Sequence, residues 1–213
     1  MVEPSDFPCG KTPVMIPGPA GELEALCGCP REPAGATAVI CHPHPLHGGT
    51  MHNKVVYTVA RALEDLGLYT VRFNFRGVGA STGVFDAGRG ETEDLLAVLR
   101  WAAGRRPGDR FWLAGFSFGS YVAARAVSRW ATERLISIAP PVARFDFSEF
   151  PRPDCPWLVV QGDADEVVDP GAVFGWLEGL QPAPEVIRME GAGHFFHGRL
   201  IELREQLKSA LGA

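Results

Sequence analysis

Residues Arg110–Thr132 read RFWLAGFSFGSYVAARAVSRWAT: an apolar run, a glycine-bounded serine and a segment of helical spacing in unbroken succession. Arg110–Phe116 is short and mostly apolar, which predicts a strand covered on both faces, and Ser120–Thr132 predicts a helix. Between them Gly115-Phe116-Ser117-Phe118-Gly119 makes a G-x-S-x-G at the junction itself. A sharp strand-to-helix turn presents a serine hydroxyl as a nucleophile, and its flanking glycines let strand and helix approach closely. The same pattern in an arbitrary loop carries little information. Its position singles out Ser117 as the candidate nucleophile.

Working outward, five more segments read as short, doubly covered strands: Ala36–Cys41, Tyr69–Phe75, Arg134–Pro140, Pro156–Gly162 and Pro184–Glu190. Helical spacing recurs at Val55–Leu66, Glu91–Ala103, Gly171–Leu180 and Gly198–Leu211, the last with Leu200, Leu203, Leu207 and Leu211 on one stripe. Glu91, Glu93 and Asp94 fall in the first turn of their helix, where the helix dipole favours acidic groups. Before this alternation, the weakly alternating Glu22–Leu26 and the turn-forming Pro17–Glu22 predict an antiparallel hairpin. The pattern is that of one domain, residues 1–213, built as a mostly parallel α/β sheet with helices on both faces. Its active site is expected beyond the carboxyl ends of the strands.

With 46% hydrophobic residues and a net charge of -5, the composition is that of a globular protein and not of one that coats nucleic acid or an anionic membrane. MVEPSDFPCGKTP, Met1–Pro13, lacks a basic segment followed by an apolar run, and nowhere do eighteen apolar residues run together; the expectation is a cytoplasmic protein. Five cysteines without a secretory leader predict reduced thiols. Cys27 and Cys29 are spaced like half a zinc site that lacks its other ligands, and Cys41 and Cys155 read as small core residues.

The chain resembles the α/β-hydrolase family, whose triad runs serine, acid, histidine along the sequence. VVQGDADEVVDP, Val159–Pro170, follows the penultimate strand where that family shows G-x-x-D, a register that implies Asp165 as the acid. Asp163 in the same loop is the alternative, and Asp169 reads as a helix cap. EGAGHFFHG, Glu190–Gly198, follows the last strand and implies His194 as the base, with His197 as the alternative. FNFRGVGASTG, Phe73–Gly83, is similar to the family's R-G-x-G-x-S-x-G turn. Its G-x-G-x-x-x-G spacing, with no helix opening inside it, does not fit a dinucleotide fingerprint.

AVICHPHPLHGGTMHNK, Ala38–Lys54, packs four of the six histidines into one loop. His42, His44 and His47 approach the H-x-H-x-D-H metal loop of the metallo-β-lactamases, but Leu46 stands where that loop has aspartate, and only His194 and His197 remain downstream; no metal or cofactor is expected. In α/β-hydrolases this slot supplies one backbone N–H of the oxyanion hole. Pro43 and Pro45 have no N–H to give, which leaves His44 as first candidate and Leu46 as second. Phe118, after the nucleophile, supplies the other. His42 reads as a loop brace, and no role follows for His47 or His52.

Between Pro140 and Pro156 there is no room for a cap domain, so an open site is expected, with Phe145, Phe147 and Phe150 either flanking it or forming core beneath the connection. The resemblance therefore implies a serine hydrolase acting on small to medium carboxylic esters through an acyl-enzyme. A thioesterase or small peptidase with the same triad, a metal-dependent hydrolase and a non-catalytic binding protein are the alternatives.

Overall fold

The computed structural model describes residues 7–212; Met1–Asp6, which open the stretch read above for a leader, and Ala213 lie outside the described residues. In chain order the elements are β1 (Val14–Gly18), β2 (Gly21–Gly28), β3 (Ala36–Cys41), a 3₁₀ turn (Pro45–His47), α1 (Lys54–Asp65), β4 (Tyr69–Phe73) and α2 (Arg89–Arg105). There follow β5 (Arg110–Phe116), α3 (Phe118–Val127), β6 (Arg134–Ile138), β7 (Trp157–Gly162), α4 (Pro170–Glu178), β8 (Glu185–Met189) and α5 (Leu200–Leu211). One sheet of eight strands runs β1-β2-β4-β3-β5-β6-β7-β8. The β1–β2 and β2–β4 pairings are antiparallel and the other five are parallel.

Two-residue alternation sorts the central strands into two cores. Ala36, Ala38 and Ile40 of β3, with Trp112, Ala114 and Phe116 of β5, pack with Val55, Val56, Val59 and Leu63 of α1 and with Leu203, Leu207 and Leu211 of α5. Val39, Cys41, Phe111 and Leu113 face the opposite way, toward α2, α3 and Val173 and Leu177 of α4. Every residue of β3 and β7 is buried, as strands covered on both faces must be. Among the described residues no helix is long and apolar enough to cross a membrane.

The chain passes from β3 outward to β4, then returns past β3 to β5, so the order reverses between β3 and β5. Loops leaving the carboxyl ends of strands on either side of such a reversal open a crevice between them. The histidine loop follows β3 and Ser117 follows β5, which puts both at this crevice.

Two readings are corrected. Cys9 and Cys29 are joined in a disulfide, not reduced, because a bridge between Cys9 and Cys27 lays the N-terminal segment beside β2 and brings the Cys9 and Cys29 Cα atoms to 5.6 Å. That bond occupies Cys29, while burial pushes the Cys27 thiol up to about 12, so the pair does not make half a zinc site. The second correction concerns ends. Helix α2 begins at Arg89, and Glu91 serves as its cap, accepting from the N–H of Gly88 at 2.7 Å and of Asp86 at 2.8 Å.

Candidate active site

Only Ser117 separates β5 from α3, so this one residue must turn the chain from extended to helical. It does so at φ 52°, ψ −121°, a left-handed conformation unusual outside glycine. Holding it costs on the order of 1–3 kcal/mol and requires a surround that over-determines the geometry. That surround is visible: the Ser117 N–H donates to Ile138 O at 2.8 Å, and the Ser120 N–H and hydroxyl donate to Ser117 O at 2.8 and 2.6 Å. The glycines do the rest. A Cβ on Gly115 would overlap the Gly119 carbonyl, and one on Gly119 would overlap the carbonyls of Cys41 and His42, so α3 sits directly on β5 and on the end of β3.

Asp165 and His194 come from the loops after β7 and β8, and they meet. Asp165 Oδ2 is 2.8 Å from His194 Nδ1, with both residues buried. The other carboxylate oxygen accepts from the N–H groups of Val167 and Val168 at 2.9 and 2.7 Å, and Gln161 Nε2 donates to Oδ2 at 3.2 Å. Burial raises the Asp165 pKa, but the hydrogen bonds from His194, Val168 and Val167 outweigh it and hold the carboxyl below its ordinary range. Ionised Asp165 accepts from Nδ1–H, which leaves Nε2 of a neutral His194 as the unprotonated nitrogen. The imidazole lies between Phe116 and Phe195, with ring centroids 4.9 and 5.0 Å away. Asp163 faces elsewhere, accepting from the Gly191 N–H at 2.6 Å and from Arg188 at 3.1 Å. Asp169 caps α4 through the Gly171 N–H.

In the histidine loop, His42 is fully buried and both its nitrogens are engaged. The Phe75 N–H donates to Nε2 at 3.0 Å, so the proton sits on Nδ1 and is donated to Pro43 O at 2.6 Å. Burial pushes its pKa down to about 4. His44 caps the 3₁₀ turn, its Nδ1 accepting from the Leu46 N–H at 3.2 Å. That commits the Leu46 N–H, whereas the His44 N–H donates to no other protein group among the described residues. The Phe118 N–H opens α3 and has no carbonyl one turn earlier within the helix to meet. Among the described residues no three His, Cys, Asp or Glu side chains are grouped to hold a metal.

The R-G-x-G-x-S-x-G segment is a brace beneath this loop. Asn74 accepts from the Met51 N–H at 2.8 Å and donates to Glu24, Ser81 bridges Glu24 N and Asn74 O, and Arg76 closes a bidentate pair on buried Asp94.

Ser117, His194, His44 and Phe118 all line one cavity of about 420 Å³, walled also by His47, Pro141, Arg144, Phe145, Val167, Val168 and Phe195. Larger concavities lie at the opposite, amino ends of β5–β8, far from these groups. Phe145 walls the cavity and packs on Phe118 at 5.2 Å, whereas the partly buried Phe147 and Phe150 pack with Tyr121 and Trp176 against the main core, away from the cavity. Three contributors escaped sequence reasoning. Gln161 and Glu166 hold Asp165 and the His194 N–H, and Arg144 lines the cavity. Only Gln161 left a signal, as a polar residue ending the apolar strand WLVVQG.

The family model described as serine aminopeptidase, S33, a hydrolase family, matches residues 44–151, from the histidine loop through the serine turn to the connection after β6. The chain belongs to the α/β-hydrolase family. It is 50% identical to a serine hydrolase without lid from Xanthomonas campestris, over 96% of this chain and 95% of that one, with a TM-score of 0.92. It is 50% identical to an alpha-beta serine hydrolase homologue from Coxiella burnetii, over 96% and 99% of the two chains, with a TM-score of 0.93. An uncharacterised protein of Rickettsia prowazekii is 35% identical over 208 residues, 93% of this chain and 87% of the relative. The Xanthomonas hydrolase is described as lidless, and among the described residues of this α/β-hydrolase the β6–β7 connection is likewise a loop with no inserted cap.

Proposed function

We propose that this hydrolase cleaves small to medium carboxylic esters through an acyl-enzyme on Ser117. His194 Nε2 takes the hydroxyl proton as Ser117 Oγ attacks the carbonyl carbon, and returns it to the departing alkoxide. Water then attacks the acyl-enzyme with the same help. Asp165 holds the imidazole in the required tautomer and stabilises the imidazolium that forms. The backbone N–H groups of His44 and Phe118 receive the oxyanion. The observation that carries this reading is the 2.8 Å Asp165–His194 contact at the wall of a cavity that also holds a serine at φ 52°.

The aminopeptidase activity in the matched family's description fits this cavity poorly. An enzyme that selects a free α-ammonium group needs an acidic partner for it, and among the described residues no Asp or Glu lines the cavity. Ester and thioester substrates carry no such requirement. The test is turnover of methyl esters from acetate to octanoate, of the matching acyl-thioesters and of aminoacyl amides, by wild type and Ser117→Ala. Saturable ester hydrolysis lost in Ser117→Ala supports the proposal. Preference for thioester or amide transfers the activity to those classes.

A further inference from the structure

The electrostatics of the cavity wall run against those of the chain. Acidic residues outnumber basic ones 25 to 20 over the whole sequence, yet among the described residues the wall presents Arg144, His44, His47 and His194 and no carboxylate. The Asp165 carboxylate is buried behind His194 and fully engaged. Among the described residues Arg144 is the one formally charged wall residue. Standing on the β6–β7 connection, it reaches toward the Asp165 loop, where Nη2 donates to Val167 O at 3.2 Å. Among the described residues no carboxylate pairs with it, although nine other arginines have ion-pair partners.

The neighbouring groups are donors too. With Nδ1 accepting from the Leu46 N–H, a neutral His44 carries its proton on Nε2. Its ring lies 4.6 Å from that of His47. Burial, and then the electrostatic effect of His47 and Arg144, lower the His44 pKa, which places these three groups in one another's field. Phe118, Phe145, Phe195, Val167 and Val168 make the apolar part of the wall, and Asn53, whose side-chain oxygen caps α1, is the further polar side chain beside Ser117.

We infer that the substrate is an ester bearing a carboxylate: an apolar stem against the phenylalanines and valines, and an anionic end on Arg144 with His44 and His47 beside it. A guanidinium meets a carboxylate with two parallel hydrogen bonds, a geometry that a neutral ester cannot use. The inference rests on the ester reading of Ser117 and adds the chemical class of substrate.

The carboxylate sits on the acyl or on the alcohol side of the scissile bond, and the test has an arm for each. Monomethyl adipate is compared with methyl hexanoate, and 4-acetoxybenzoate with phenyl acetate, by pH-stat titration. The quantity read is the ratio of kcat/KM for the charged ester to that for its neutral partner, measured within each variant. A hydrogen bond to a charged group predicts a wild-type ratio of about tenfold in one arm, falling toward one in Arg144→Gln and intermediate in Arg144→Lys. A wild-type ratio at or below one in both arms overturns the inference. So does a ratio that survives Arg144→Gln, including the case in which both esters slow in proportion, since Arg144 then supports the oxyanion generally. Fluorophosphonate labelling of the same preparation separates the two levels. Labelling with no charge preference overturns this inference alone, and absence of both labelling and turnover overturns the hydrolytic reading and this inference with it.

Discussion

Asp165 Oδ2 and His194 Nδ1 stand 2.8 Å apart although 29 residues of chain separate them, because β7 and β8 are neighbours and their carboxyl-end loops fold toward each other. Asp163, two residues earlier, points to Gly191 and Arg188 instead. Asp165→Asn should therefore lower kcat by roughly 10⁴-fold, since an amide holds the wrong imidazole tautomer. Asp163→Asn should keep most of its turnover and lose only a little stability with its loop hydrogen bonds. Ester kinetics on both variants, with a denaturation curve for each, check the pair; the reverse pattern moves the role to Asp163.

In the proposed mechanism the main chain of His44, not its ring, meets the oxyanion. Its φ of −52° lies within proline's range, so His44→Pro removes the N–H with little demand on this residue's own backbone. Loss of one donor should cost roughly 10²–10³ in kcat on a neutral ester. His44→Ala keeps the N–H and should lose far less. Equal losses in the two variants would point to the imidazole as the acting group.

Close approach of α3 to β5 predicts opposite outcomes for two glycine substitutions. Neither Gly115 nor Gly104 has positive φ, so the surroundings decide. A Cβ at Gly115 meets the Gly119 carbonyl, and Gly115→Ala should destabilise by about 3 kcal/mol. At Gly104, exposed in α2 with nothing near, alanine should stabilise by about 0.5–1 kcal/mol. Urea denaturation at one pH measures both.

His42 titrates near 4 in the fold and near 6.5 in the free chain, so between those values the unfolded state binds the extra proton and stability falls as pH falls. The contribution lost over that window is about 3 kcal/mol. His42→Gln should be less stable than wild type at pH 7, where two buried hydrogen bonds are disturbed, but should show a shallower decline from pH 7 to pH 4. A decline as steep as that of wild type shows that His42 is not the group responsible.

Much of the fold was legible because β3 and β5 are uninterrupted apolar strands whose ends are marked by proline, glycine and charge; Ala36–Cys41 and Arg110–Phe116 match their strands residue for residue. Ends set by tertiary contacts were not. Tyr69–Phe75 stops as a strand at Phe73 because the Phe75 N–H turns to His42, a partner 33 residues away in sequence. The disulfide was missed because compartment reasoning says nothing of the local bridge that pairs Cys9 with β2. In the site, loop spacing left Asp163 and Asp165 open, since choosing between two carboxylates depends on where β8 delivers His194. Arg144 was invisible because a surface arginine in a loop looks like any other until the cavity it faces is known.

An activated Ser117 reacts with a fluorophosphonate, and peptide mapping of the labelled protein locates the adduct. Ser120 and Ser81 are the nearby controls, their hydroxyls committed to Ser117 O and Asn74 O. A single stoichiometric adduct is expected on Ser117, absent in Ser117→Ala and strongly slowed in Asp165→Asn. A label on Ser81 or Ser120, or a folded protein that takes no label at all, contradicts it.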